Sequence, residues 1–422
     1  MKAIRIGICT VIAFAAGAFG GIEWWAVGIA EIGAAGLFLL WGILALRQGR
    51  ADIAWNWIYL PMLGIAALSG IQRLFAMSAY PYATNVELLK GVTYLVLCFL
   101  AAESFRITED RVALTWFLVT LSFVIAVFGI VQRFSFDGRL YWLIPLPDGA
   151  EPFGPFVNRD HFAGFVELTA PLGLAMLLNG AYRRDKIVLL TLFTTMPIVA
   201  LLLSGSRGGI VGFVVATLVA VALSRPMLAR RKQMLGVLTL GILAGVFAFW
   251  LGANATIGRF ERMSPTALTN SQRLAMDRDT WRIFLDHPWM GTGLGTLETV
   301  YPKYASFYDG RVVDHAHNDY LEFLAETGGA GGVLGAGFIA LLLWGGIRNW
   351  RSAADAGDRA FLIGALTACA ALLVHSGVDF NLHIPSNALL FLLLATLACA
   401  KIPFSEIKPN QETCQKGMTA GV

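Results

Sequence analysis

The chain has 422 residues, of which 57% are hydrophobic and only 14% charged, with a formal net charge of +4. A mean hydropathy of +0.65 excludes an ordinary soluble domain, where roughly 25% of residues are charged and one core cannot hide so much apolar surface. The basic excess is small and follows from topology, so nucleic-acid binding is set aside.

Apolar runs of about 18 or more residues are candidate membrane spans. In chain order they fall near 5–22, 25–46, 53–70, 88–105, 112–131, 161–181, 187–204, 208–224, 234–251, 320–347, 359–376 and 383–400. This predicts an all-α polytopic membrane protein of about 12 transmembrane helices. The first run follows Lys2 and Arg5 as in a signal peptide, yet Trp24 and Trp25 lead straight into the second, so it reads as an uncleaved span. With the N-terminus inside, 19 of the 32 Lys and Arg lie in short inner segments, including Tyr182 to Lys186 and Arg230 to Lys232. The positive-inside rule then places both termini in the cytoplasm. Cys9, Cys98, Cys369 and Cys399 sit in apolar runs and Cys414 in the tail, which suggests no disulfide framework. The expected parts are helices 1–9 over 1–251, a periplasmic helical subdomain over 252–318, helices 10–12 over 319–400, and a cytoplasmic tail over 401–422.

Two external segments are long. The first, 132–160, is rich in aromatics and Pro; the second, 252–318, contains an amphipathic helix from Ser271 to Asp286. Its apolar stripe is read as Leu274, Trp281, Phe284 and Leu285, fit to lie on the membrane surface or cap the bundle. Exposed aromatics such as Phe136, Tyr141, Trp142 and Tyr308 suit sugar stacking, although interfacial belts use the same residues.

Outer arginines run against the charge asymmetry. Arg207, in Leu203-Ser204-Gly205-Ser206-Arg207-Gly208-Gly209, opens a helix after a tight turn. The helix start has open amides and a positive dipole, Gly lets a phosphate come close, and Arg adds a bidentate charge. The simpler alternative is a snorkelling arginine. The densest polar cluster is Asp314-His315-Ala316-His317-Asn318-Asp319-Tyr320-Leu321-Glu322. A histidine there can take a proton from a hydroxyl, Asn or Asp can cap the next helix, and His-x-His can contribute to a metal site if His375, Asp379 or His383 adds a ligand. Glu322 and Glu326 read as helix-terminal structural carboxylates more than as an acid–base pair. Gly291-Thr292-Gly293-Leu294-Gly295 reads as a turn more than a phosphate cradle. Asn158-Arg159-Asp160-His161 is either a solvated helix cap or a further polar site.

Leu203 to Gly209, Arg273-Leu274, His287 to Gly293 and His315 to Gly328, in that order, resemble the O-antigen ligase and O-antigen polymerase superfamily. Glu151 to Phe165 is similar to a segment of ligase-like members, and His375 to Asn387 resembles their C-terminal motif. The resemblance implies a glycosyltransferase C-type fold, a glycan donor on undecaprenyl pyrophosphate, and no cofactor or metal requirement. By the same analogy Arg207 and Arg273 would bind the pyrophosphate, with Arg159 as a looser third. His317 would be the base, with His315, Asn318, Asp319, Glu326, His161 and Gly208 in support. Asp160 departs from the Asn of the ligase-like pattern. A dominant external loop between spans nine and ten resembles a ligase, whose acceptor is lipid A–core. A polymerase would instead use a second lipid-linked repeat. A small-anion, bicarbonate-like transporter is the alternative of another class. It would require ionisable groups near mid-membrane, for which only Glu31 and Glu167 are clear candidates.

Overall fold

A bilayer offers the backbone no water, so an apolar run can cross it only if its amides and carbonyls pair within the segment, as in a helix. The computed structural model describes residues 1–49, 53, 55–146, 150–224, 270–308, 310 and 312–400. Among these, the helices are α1 (Lys2–Gly17), α2 (Trp24–Gln48), α3 (Tyr59–Leu74), α4 (Pro81–Ser104), α5 (Thr108–Phe134), α6 (Arg159–Asn179), α7 (Ile187–Ser204), α8 (Arg207–Ser224), α9 (Asn270–Asp286), α10 (Leu297–Val300), α11 (Asp319–Ser352), α12 (Ala356–His375) and α13 (Pro385–Cys399).

Eight of the described helices are long and apolar enough to cross a membrane, and the protein is a multi-pass membrane protein. The expected spans at 5–22, 53–70 and 383–400 coincide with α1, α3 and α13, but these have only 16, 16 and 15 residues. The expected span at 234–251, the basic Arg230 to Lys232 segment, the tail from 401 and Cys414 lie outside the described residues. Cys9, Cys98, Cys369 and Cys399 are free thiols. α2 turns Ile32, Leu39 and Leu46 outward at seven-residue spacing, an apolar stripe suited to lipid.

α6 is the centre of the bundle, with its whole apolar window buried. α12 lies directly against it: a Cβ added at Gly364 would fall 2.7 Å from the Leu172 Cα. Small residues at such crossings let membrane helices approach closely. One end of this pair is fixed by Arg111 of α5, fully buried, whose Nη1 donates to Asp358 of α12 at 3.0 Å. Thr108 donates to the same carboxylate at 2.7 Å. The opposite end gathers the starts of α6, α8, α11 and α13 with the end of α12.

Segment 132–160 forms a two-residue antiparallel hairpin, Arg139–Leu140 with Ile144–Pro145. Phe153 and Phe156 turn inward against Phe162 and Phe165. Tyr141 stacks on Phe128 and donates to the Gly17 carbonyl, which commits it to the fold, while Tyr308 stays exposed.

α9 forms where the amphipathic pattern predicts it, but its buried face differs from the expected stripe. Leu274, Trp281 and Leu285 face outward, whereas Met276, Asp279, Thr280 and Ile283 are buried. The reason is polar. Asp279 accepts from Tyr301 Oη and from the Ser306 amide and hydroxyl, at 3.3, 2.8 and 2.8 Å, and this draws its face inward. α11 is broken at Gly328, where φ is 64° and ψ is −167°. A Cβ there would lie 2.4 Å from the Trp289 carbonyl carbon, so only Gly fits the joint.

Removing one partner of a buried ion pair leaves an uncompensated charge. Asp358→Ala is expected to destabilise the protein by about 3–5 kcal/mol. Arg111→Met with Asp358→Leu should recover most of that loss. Thermal unfolding in detergent checks both, and equal midpoints for Asp358→Ala and the double variant would contradict the account.

Candidate active site

The site is built where segment 314–318 enters α11. Asn318 caps the helix, its side-chain oxygen accepting from the Tyr320 and Leu321 amides at 3.2 and 3.3 Å. The residue before the cap, His317, has φ +52°, a left-handed conformation uncommon outside Gly. Such strain persists only where surrounding contacts hold it. One contact is to Asp379, in the α12–α13 connection: His317 Nδ1 donates to Asp379 Oδ1 at 3.3 Å. The Asp379 side chain is 5% exposed and that of His317 19%. Burial alone would raise the Asp379 carboxyl. The His317 hydrogen bond and the charges of His161, His375 and His317 outweigh it and hold Asp379 low, at about 2. Asp379 is therefore a carboxylate that only accepts, which directs a proton to His317 Nδ1; in the neutral ring the lone pair is then on Nε2. Phe380 packs its ring against His161, His315 and His317 at 4.7, 4.4 and 4.9 Å between centroids.

A second network lies beside this one, with Glu322 at its centre. His315 Nδ1 donates to Glu322 Oε1 at 2.7 Å, and the Ala316 amide to Oε2 at 2.8 Å. His383 Nε2 lies 3.2 Å from Glu322 Oε1, while its Nδ1 donates to Asp319 Oδ1 at 2.8 Å. Asp319 also accepts from the Leu382 amide at 3.0 Å, tying the start of α11 to the α12–α13 connection. The donor atoms of His315, Glu322 and His383 lie within 4.8 Å of one another, so this is the metal-capable group among the described residues.

Glu326 stands one turn further along α11 and is structural in its contacts. It accepts from the Gly295 and Leu297 amides at 2.8 and 2.9 Å. Its backbone carbonyl accepts from Gly293 at 2.9 Å. All five amides of the Gly291 to Gly295 turn are thus already donating, to His287, Ala325, Glu326 and Gln72, and are unavailable to a phosphate.

The arginines are placed differently from one another. Arg207 is the exposed first residue of α8. Ser206 Oγ accepts from the Gly209 amide at 3.1 Å, so one of the amides expected to be open is already capped. Gly208 lies against α12: an added Cβ would fall 2.6 Å from His375 Nε2. His375 is 4.0 Å from Asp379, which links the start of α8 to His317 by direct contacts. Arg273, exposed on α9, lies one turn from Asp277. Burial raises the Asp277 carboxyl, opposed by a hydrogen bond from Asn318 and by the charges of Arg273 and His317. Arg159 instead pairs with Glu151 at 2.9 Å. Asn158 caps α6 by accepting from the Asp160 amide at 2.9 Å, and His161 is buried beneath Phe380. The cap reading of that segment is the one its contacts satisfy.

Sequence reasoning placed His317, Arg207 and Asn318 here, weighed His375, Asp379 and His383 only as possible further metal ligands, and gave Phe380 and Asp277 no part in the site. The signal was available in part: His375, Asp379 and His383 recur every four residues around one connection.

Residues 188–336 match the family model described as O-antigen ligase. The match supports the O-antigen ligase superfamily. It spans Arg207, Arg273 and His317, while His161, His375, Asp379 and His383 complete the cluster from outside the matched segment. No curated protein matches the chain. The family implies a membrane glycosyltransferase-like ligase or polymerase acting on lipid-linked glycans.

Asp379→Asn keeps the shape but lets the side chain donate, which favours the wrong His317 tautomer. Glycan transfer is expected to fall by roughly 10²–10⁴-fold with protein still folded in the membrane. Wild-type transfer rates in the variant would remove Asp379 from the site.

Proposed function

We propose that this chain is an O-antigen ligase of the bacterial inner membrane. It transfers a glycan from undecaprenyl pyrophosphate to a hydroxyl of lipid A–core at the periplasmic face. The observation that carries the reading is His317, partly exposed and held through Nδ1 by buried Asp379. It stands in a site that α8 enters with Arg207 at its N-terminus.

In this mechanism His317 Nε2 takes the proton of the acceptor hydroxyl. The hydroxyl oxygen forms a bond to the anomeric carbon, and the bond from that carbon to the pyrophosphate oxygen breaks. The leaving pyrophosphate gathers negative charge, which Arg207 and Arg273 stabilise. Fixed donors of this kind are worth about 3–4 kcal/mol each in a water-poor site, and a positioned base roughly 10²–10⁴-fold. Arg159, neutralised by Glu151, has the weaker claim to a phosphate. Lipid A–core is favoured over a second lipid-linked repeat because one long external segment, 252–318, dominates the outer face. We read that segment as a periplasmic subdomain.

The test is transfer by purified protein from an undecaprenyl-pyrophosphate glycan, with lipid A–core and a second lipid-linked repeat offered separately. Transfer to lipid A–core alone is expected, and transfer only to the repeat would make the protein a polymerase. His317→Ala and Arg207→Ala should each abolish transfer while leaving folded protein in the membrane, and full activity in either would remove that residue from its role.

The superfamily resemblance implies that no metal is required, and the His315–Glu322–His383 group makes this worth checking. Transfer is expected to survive EDTA. Loss restored by Zn²⁺ would assign that group to a metal.

A further inference from the structure

Glu167 of α6 and His375 of α12 are 0% and 1% exposed, out of reach of any substrate. His375 Nδ1 donates to Glu167 Oε2 at 2.8 Å. On the far side of the same ring, Nε2 lies 4.0 Å from Asp379 Oδ2. Asp379 Oδ1 in turn holds His317. Four groups, alternately carboxylate and imidazole, thus run from the centre of the bundle to the partly exposed histidine. We infer that the buried Glu167–His375 pair positions Asp379 and, through it, His317, an inference that rests on the reading of His317 as the base.

Burying two ionisable groups is costly, and apolar residues of similar volume would pack a helix crossing at least as well. The geometry supplies a reason for them. The ring hydrogen-bonds Glu167 through Nδ1 and has Asp379 at ion-pair distance from Nε2, an arrangement that favours a proton on each nitrogen, that is, a cation. A cation on the Oδ2 side of Asp379 leaves Oδ1 to His317, with Asn381 Nδ2 adding a contact to Oδ2 at 3.5 Å. α8 is shaped to the pair. A Cβ at Gly208 would fall 2.6 Å from His375 Nε2, and one at Gly212 would fall 2.1 Å from Glu167 Oε1. The glycines after Arg207 therefore seat α8 on the dyad. The other titratable groups acting on His375 and Asp379 are Asp160 and His161 from α6 and His317 itself.

The experiment compares Glu167→Gln and His375→Gln with wild type in the purified transfer assay, beside His317→Ala. Each Gln variant is expected to lower kcat by about 10–100-fold, as outer-shell partners do, with donor and acceptor KM unchanged. The acid limb of the pH profile should move upward. Without the His375 cation, Asp379 acts on His317 with its full charge and holds the proton there to higher pH. A lowered kcat with an unmoved profile would reduce the pair to packing and overturn the inference. So would wild-type behaviour of both variants beside an inactive His317→Ala. Transfer by His317→Ala would instead overturn the base reading. Should neither Gln variant fold, ¹⁵N-histidine spectra of the wild-type protein decide: a His375 cation at neutral pH is expected, and a neutral ring overturns the inference.

Discussion

Asp379 sits almost wholly inside the protein and still carries its charge, because histidines surround it. His317 donates to one oxygen and His375 stands beside the other. A buried carboxylate is tolerated only when its charge and lone pairs are met. The requirement organises its surroundings. It brings the end of α12 to the start of α11, and through His375 it brings α6 and α8 to the same point. The strained backbone at His317 is held from both sides, by Asp379 on its ring and by the Asn318 cap behind it.

The two ends of the bundle solve the same electrostatic problem differently. Arg111 and Asp358 form a closed, buried pair, joined by the partly buried Thr108 and remote from the cluster. At the other end the buried charges form a graded series, from Glu167 in the core to a histidine that meets the outside. A closed pair stabilises one arrangement of helices. A graded series also fixes which nitrogen of the outermost histidine holds a proton, and that is a chemical property rather than a mechanical one.

Much of this was legible in the sequence because it is local. Apolar runs of span length gave helices close to their observed bounds, and Asn318 announced its cap from the polar run before α11. The Asp379–His317 contact was not legible, since 62 residues separate the partners and no spacing rule joins them. Gly208 was read as room for a phosphate, whereas its lack of a side chain makes room for the His375 ring. The α9 stripe was misjudged for a related reason: a buried Asp279 with its own hydrogen bonds outweighs the pull of Trp281 and Leu285 toward the inside. In each case a polar contact from a distant segment overrode a local pattern.

The central claim is that buried Asp379 fixes His317 with its proton on Nδ1 and its lone pair on Nε2. Six histidines in the chain make selective labelling practical. The most direct test is the ¹⁵N spectrum of His317 in detergent-solubilised wild-type protein, assigned by its loss in His317→Ala. A neutral imidazole protonated on Nδ1 is the expected result. A neutral ring protonated on Nε2 would contradict the account, since a base in that form has no lone pair to offer an acceptor hydroxyl.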